Sequence, residues 1–183
     1  MNIYIVRHTS VDVKPGTCYG QTDVALRSSF TDEAEKVKEN LGKIMSSGVE
    51  FCKIYTSPLS RCVKLADYCG FPEAVRENRV KEINFGSWEM QPFDSIVDPQ
   101  LQNWFEDFIN VRPTNGESFM DLYHRVSSFL DGLKSEVPED ENVLIFAHGG
   151  ILVCTQIYTG MIQMKQAFES VPEYGSILKF EIG

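Results

Sequence analysis

Three short runs of apolar residues stand out along the chain, and amphipathic stretches with helical spacing lie between them. Asn2 to Val6, Phe51 to Thr56 and Asn142 to Phe146 have the length and apolar content of strands buried on both faces. Thr31 to Ser46 places Ala34, Val37, Leu41, Ile44 and Met45 on one face. It has acidic residues at its start and Gly48 just past its end, which predicts an amphipathic helix. Leu59 to Tyr68 predicts a second helix, closed by Gly70. Gly116 to Glu136 predicts a third, with Phe119, Leu122, Val126, Phe129, Leu130 and Leu133 in register, and Pro138 stops it. Ile151 to Tyr158 predicts a further helix and Ser176 to Ile182 a last strand. Val80 to Phe85 reads as a short strand or an extended loop. Residues 86–113 are rich in Trp, Phe, Asp and Pro without periodicity and read as an insertion or lid.

Strands alternating with helices predict an α/β fold. Right-handed crossovers then give a three-layer α/β/α sandwich with a mostly parallel central sheet, whose strands bring their carboxyl ends together. A length of 183 residues with 43% hydrophobic content suits one domain spanning 1–183. The formal net charge of -9 argues against a nucleic-acid surface, which needs clustered Lys and Arg. No apolar run approaches the roughly 20 residues that cross a bilayer, so no membrane partner is expected and the chain reads as soluble and cytoplasmic. Cys18, Cys52, Cys62, Cys69 and Cys154 form no CxxC pair; they read as reduced thiols and not as a disulfide framework or a metal site.

The residues delivered at the strand ends change the picture from fold to chemistry. Arg7 and His8 come after the first strand, Ser57-Pro58-Leu59-Ser60-Arg61 after the second, and His148-Gly149-Gly150 after the third. Convergent strand ends would bring Arg7, His8, Arg61 and His148 to one edge, a basic pocket suited to phosphoryl chemistry. A neutral imidazole can attack phosphorus and carry the phosphoryl group, so His8 is the expected nucleophile. Two guanidinium groups can hold the equatorial oxygens in fixed forks, the role expected of Arg7 and Arg61. His148, as a second imidazolium, and backbone N–H groups at Gly149 would stabilise growing charge. The leaving alkoxide needs a proton, and Glu82 is the preferred donor over Glu89. Tyr19, Gly20 and Gln21, in a loop downstream of His8, are candidate substrate contacts. His124, mid-helix without complementary neighbours, reads as a surface histidine. Trp88, Phe93, Trp104, Phe105 and Phe108 are placed either to pack a lid or to line a pocket for an aromatic base.

These four segments in this order resemble the histidine phosphatase superfamily, also called the phosphoglycerate-mutase-like fold. Arg7-His8-Thr9 resembles its nucleophile motif and Ser57 to Arg61 its second-arginine motif. Glu82 to Glu89 resembles its acid segment, with Gly86-Ser87-Trp88-Glu89, and Phe146 to Gly150 its second-histidine motif. The resemblance spans essentially the whole chain. It implies a phosphomonoesterase that works through a phosphohistidine, with no cofactor and no metal, on a small phosphomonoester. Within the superfamily, Pro15 to Asp23 and Asn115-Gly116-Glu117-Ser118 with Arg125-Val126 are similar to α-ribazole phosphatases, which act in assembly of the cobalamin nucleotide loop. Phosphoglycerate mutase or a sugar-phosphate phosphatase is the alternative within the family, and a non-catalytic phospho-ligand module lies outside it. The chain departs from the common pattern at Thr9 and at Met90, where glycine is usual.

Overall fold

The computed structural model describes all 183 residues, Met1–Gly183. Five strands form one sheet in the order β3-β2-β4-β1-β5: β1 (Asn2–Arg7), β2 (Lys53–Thr56), β3 (Val75–Arg76), β4 (Asn142–Ala147) and β5 (Ile177–Glu181). β1 pairs parallel with β4, and β4 and β3 both pair parallel with β2. β5 runs antiparallel along β1, with Ile3 opposite Phe180. The helices are α1 (Phe30–Ser46), α2 (Ser60–Tyr68), α3 (Leu101–Glu106), α4 (Phe119–Glu136) and α5 (Gly149–Tyr158).

Side-chain alternation along the central strands builds the layers. Ile3 and Ile5 of β1 and Val143 and Ile145 of β4 pack against α4 and α5. Their alternates Tyr4, Val6, Leu144 and Phe146 pack against α1 and α2. β1 and β4 are therefore covered on both faces, which is why they read as continuous apolar runs. The architecture is the expected three-layer sandwich.

Two elements differ from the sequence reading. Val80 to Phe85 holds no strand; it is the extended-loop alternative, entered through a 3-10 turn at Asn78–Val80. The edge strand β3 lies just before it, and because both Val75 and Arg76 are exposed it carries no burial pattern to read. α4 begins at Phe119 because Ser118 and Asp121 form a reciprocal capping box; Gly116 lies outside the helix.

Residues 86–113 are ordered around their own aromatic cluster. Trp88 and Trp104 meet edge to face at 5.6 Å and bury Cys18 and Ile96 with them. Backbone bonds stitch this segment to the loop after β1: Cys18 N–H donates to Gln91 O, Met90 N–H to Cys18 O and Phe93 N–H to Gly16 O. An all-round aromatic cluster has no period, so composition and not periodicity marks these residues as packing together.

Candidate active site

β1 leads to α1 on one face and the adjacent β4 leads to α5 on the other, so the crevice between their carboxyl ends is a topological switch point. His8 stands there, 2% exposed. Its Nδ1 lies 2.7 Å from the Thr9 carbonyl, which fixes the proton on Nδ1 and leaves the Nε2 lone pair free. Burial, and then the charge of Arg61, push its pKa down from the ordinary histidine value to about 3. The bond to Thr9 opposes that shift and Arg7 adds to it. His8 is a neutral imidazole at neutral pH.

His148 packs edge-on to His8 with ring centroids 5.1 Å apart and is fully buried. Its Nδ1 accepts from Arg61 Nε at 3.3 Å, so the proton resides on Nε2, 2.7 Å from Ser57 Oγ. Burial first, then Arg61 and His8, hold it well below the ordinary histidine value. In the free protein His148 is therefore a neutral Nε2–H donor; the second imidazolium is expected with a phosphoryl group in place.

The two arginines are held differently. Arg61, buried without solvent contact, donates from Nη1 to Thr22 O at 3.0 Å and from Nη2 to Gly20 O at 2.6 Å. Gly20 thus serves Arg61 through its carbonyl. A Cβ on Gly20 would fall 1.8 Å from Ile83 O, so only glycine allows the two loops to meet. Arg7 donates from Nη1 to Pro172 O and lies over the ring of Tyr174, 3.9 Å from its centroid, while its buried Nε has no partner.

Glu82 reaches the start of α5, where its Oε2 accepts from Gly150 N–H at 3.2 Å and its Oε1 from its own loop at Ile83 N–H, 3.0 Å. A Cβ on Gly150 would lie 2.3 Å from Oε1, so that glycine makes room for the carboxyl. Glu82 thus takes up the Gly150 N–H of this helix start, while Gly149, the candidate substrate contact, lines the cavity. The loop itself is clamped from α4: Arg125 donates to the carbonyls of Arg79, Lys81 and Glu82 and pairs with Glu117 at 2.8 Å. Gln21 adds a bond from Nε2 to Glu82 O at 3.0 Å.

Glu89 accepts from the backbone N–H of Gln21, Thr22 and Phe85 and from the Thr22 hydroxyl. Burial would raise its carboxyl, but these bonds outweigh it and hold Glu89 below the usual carboxylate range. It organises the loop around Arg61.

A cavity of about 190 Å³ opens beside His8. Arg7, Tyr19, Glu82 and Gly149 line its polar end, and Ile83, Phe85, Trp104, Phe108, Leu122, Val153 and Phe168 are among the apolar residues of its wall. Arg61 and His148 lie behind this surface and Gln21 to one side. Trp88, Phe93 and Phe105 stand outside it, and His124 is exposed on α4. Sequence reasoning did not find Tyr174, Ser57 or the clamping role of Arg125; Tyr174 comes after no strand and carries no motif.

A family model for the histidine phosphatase superfamily (branch 1) matches residues 3–183. The adenosylcobalamin/α-ribazole phosphatase of Escherichia coli K12 is 27% identical over 159 residues, 83% of this chain and 75% of that protein. A Yersinia enterocolitica protein assigned as a probable phosphoglycerate mutase GpmB is 29% identical over 163 residues, 84% and 72% of the two chains. Among solved structures, an Escherichia coli protein assigned as an α-ribazole-5'-P phosphatase superposes with a TM-score of 0.84 at 23% identity. That match covers 100% of this chain and 91% of the other. The mycobacterial glucosyl-3-phosphoglycerate phosphatase Rv2419c gives 0.77 at 23%, covering 97% and 88%. With the family model spanning nearly every residue, from β1 through β5, the chain belongs to the histidine phosphatase superfamily, branch 1.

Proposed function

We propose that the protein is a phosphomonoesterase working through a phosphohistidine on His8, with α-ribazole 5'-phosphate, or the adenosylcobalamin 5'-phosphate that carries the same group, as its substrate. The observation that carries the reading is a neutral His8 with Nδ1 pinned to Thr9 and Nε2 free, at the polar end of a mostly apolar cavity. In the first step His8 Nε2 attacks phosphorus, the bond to the bridging oxygen breaks, and Glu82 gives its proton to the departing alkoxide. Arg7, with an unpaired Nε, and Arg61, with one N–H left on each terminal nitrogen, take the equatorial oxygens. His148 turns its Nε2–H from Ser57 to the phosphoryl group, whose negative charge replaces the missing stabilisation for a proton on that ring. Water then attacks the phosphohistidine, Glu82 takes its proton, and inorganic phosphate leaves. Every charge needed comes from side chains of this chain, so the mechanism uses no metal.

The wall of Phe85, Trp104, Phe108 and Phe168 suits an alcohol that bears an aromatic ring, and residues 86–113 act as its lid. Trp104, whose buried indole N–H has no acceptor within the protein, suits a ring with an acceptor of its own. The name of the Escherichia coli relative supports this substrate, and the Yersinia relative makes mutase activity the competing assignment.

The test is a rapid quench with labelled α-ribazole 5'-phosphate alongside steady-state comparison with 3-phosphoglycerate. An acid-labile, base-stable label on His8, lost in His8→Ala, with release of inorganic phosphate and a clear kcat/KM preference for the ribazole ester, is the expected result. Isomer interconversion of phosphoglycerate without phosphate release would replace the phosphatase reading with the mutase one. Equal specificity constants would remove the substrate assignment.

A further inference from the structure

Arg7 lines the polar end of the cavity on a long, flexible side chain, and such a group serves catalysis only when its orientation is set in advance. The segment Val171–Gly175, which joins the 3-10 segment Met164–Ser170 to β5, supplies that orientation. The Pro172 carbonyl accepts from Arg7 Nη1, and the Tyr174 ring lies under the guanidinium, 3.9 Å from centroid to Cζ. The Tyr174 ring is itself fixed from two sides. It packs on His8 with centroids 5.5 Å apart, and its hydroxyl lies 2.7 Å from that of Tyr19, 155 residues away in sequence. Gly175 N–H donates to the His8 carbonyl at 3.2 Å, tying the segment to the nucleophile's own backbone. On the other side of the pair, the Tyr19 ring lies 5.8 Å from the Arg61 guanidinium. The two linked phenols therefore span the gap between the two arginines.

From this arrangement we infer that Tyr174 is a positioning residue for phosphoryl binding, holding Arg7 by its aromatic face so that the unpaired Nε points to the anion. The inference rests on the reading of Arg7 as a phosphoryl ligand. A stacked arginine over a tyrosine face is worth enough to move anion affinity by about tenfold. The π face does this work, so phenylalanine should serve nearly as well as tyrosine.

The experiment measures orthovanadate affinity and kcat/KM for an aryl phosphate in wild type, Tyr174→Phe, Tyr174→Ala, Arg7→Ala and the Arg7→Ala/Tyr174→Ala pair. Tyr174→Ala should weaken vanadate binding about tenfold, with Tyr174→Phe within about twofold of wild type. In the Arg7→Ala background the second substitution should add almost nothing, because the group that Tyr174 positions is gone. Tyr174→Leu, which fills the space without a π face, takes the place of the alanine variant if that chain does not fold. Full additivity in the double variant, or unchanged vanadate affinity in Tyr174→Ala and Tyr174→Leu, overturns the inference and leaves the phosphatase reading intact. A wild-type protein that neither binds vanadate nor turns over aryl phosphate overturns both.

Discussion

The floor and the wall of the cavity are built by opposite means. The floor is the layer that follows the strand ends, with His8 at the cavity and Ser57, Arg61 and His148 behind it; all are at most 2% exposed, and each has a fixed partner in the protein. The aromatic part of the wall comes from loops, the short helix α3 and a 3-10 segment whose side chains touch one another, with Phe168 55% exposed and meeting Phe108 at 4.3 Å. The floor is a low-dielectric setting for charge transfer, where geometry is set by hydrogen bonds. The wall is a contact surface, where geometry is set by shape. Substitutions in the floor should therefore change rates for every ester, and substitutions in the wall should change the choice among them.

The sharpest test of that division is Glu82, which joins floor to cavity. Glu82→Gln should slow phosphorylation by alkyl phosphates about 100- to 10,000-fold in single-turnover measurements. Aryl phosphates, whose phenolate leaves unaided, should be slowed far less. Equal slowing of both classes would remove Glu82 from the acid role.

Acid should break the floor before the wall. Unfolded histidines take up a proton near 6.5, whereas His8 in the fold does so only at about 3, and His148 is depressed in the same direction. The unfolded chain holds more protons across that interval, so stability is fully present above pH 6.5 and is lost as pH falls towards 3. The slope is at most about 1.4 kcal/mol per pH unit for each histidine. Denaturant titrations at pH 7, 5 and 4 should show it, and His8→Gln should flatten the curve. An unchanged slope in that variant would mean that His8 is not buried neutral.

A wall substitution should give a smaller and selective effect. Phe168→Ala removes one member of an aromatic pair, which costs about 3- to 10-fold in kcat/KM for an ester with an aromatic alcohol. Glycerol phosphate, which has no ring to lay against the wall, should be hydrolysed at the wild-type rate. Loss on both substrates would place Phe168 in the support of the floor.

The smallest effect is local. Met90 has φ of +66°, a left-handed conformation that costs an L side chain about 1–2 kcal/mol, and its side chain is half exposed. Met90→Gly should stabilise the protein by about 0.5–1 kcal/mol once the extra freedom of the unfolded chain is subtracted. A lower midpoint in thermal unfolding would show that the Met90 side chain contributes more than its backbone strain costs. Met90 is one of the two positions, with Thr9, at which the chain departs from the pattern it resembles, and its left-handed backbone is one that glycine adopts without strain.

Legibility in the sequence divided along the same line. His8, Arg61 and His148 were readable because a buried parallel strand announces itself as an apolar run, and the residues just past its end are placed at a known edge. Their protonation in the free protein was not readable, since it depends on full burial beside Arg61. β3 went unseen because two exposed residues carry no pattern. Tyr174 lies in Pro172-Glu173-Tyr174-Gly175, which reads as a turn, and its role depends on a contact with residues more than 150 positions earlier. Arg125 had a motif-like neighbourhood, but only the folded loop reveals three carbonyls within its reach.

The reversed direction of β5 has a further consequence. A parallel strand starts at the edge far from the site, so the residues ahead of it are remote from chemistry. β5 runs the other way, so its lead-in, Val171–Gly175, arrives at the working edge and the strand then carries the chain away from it. The sheet thereby gains one more loop at that edge without another crossover. No parallel pairing depends on that loop, yet Pro172, Tyr174 and Gly175 lie against Arg7 and His8, so its length and composition are tied to the polar end of the cavity and not to the sheet.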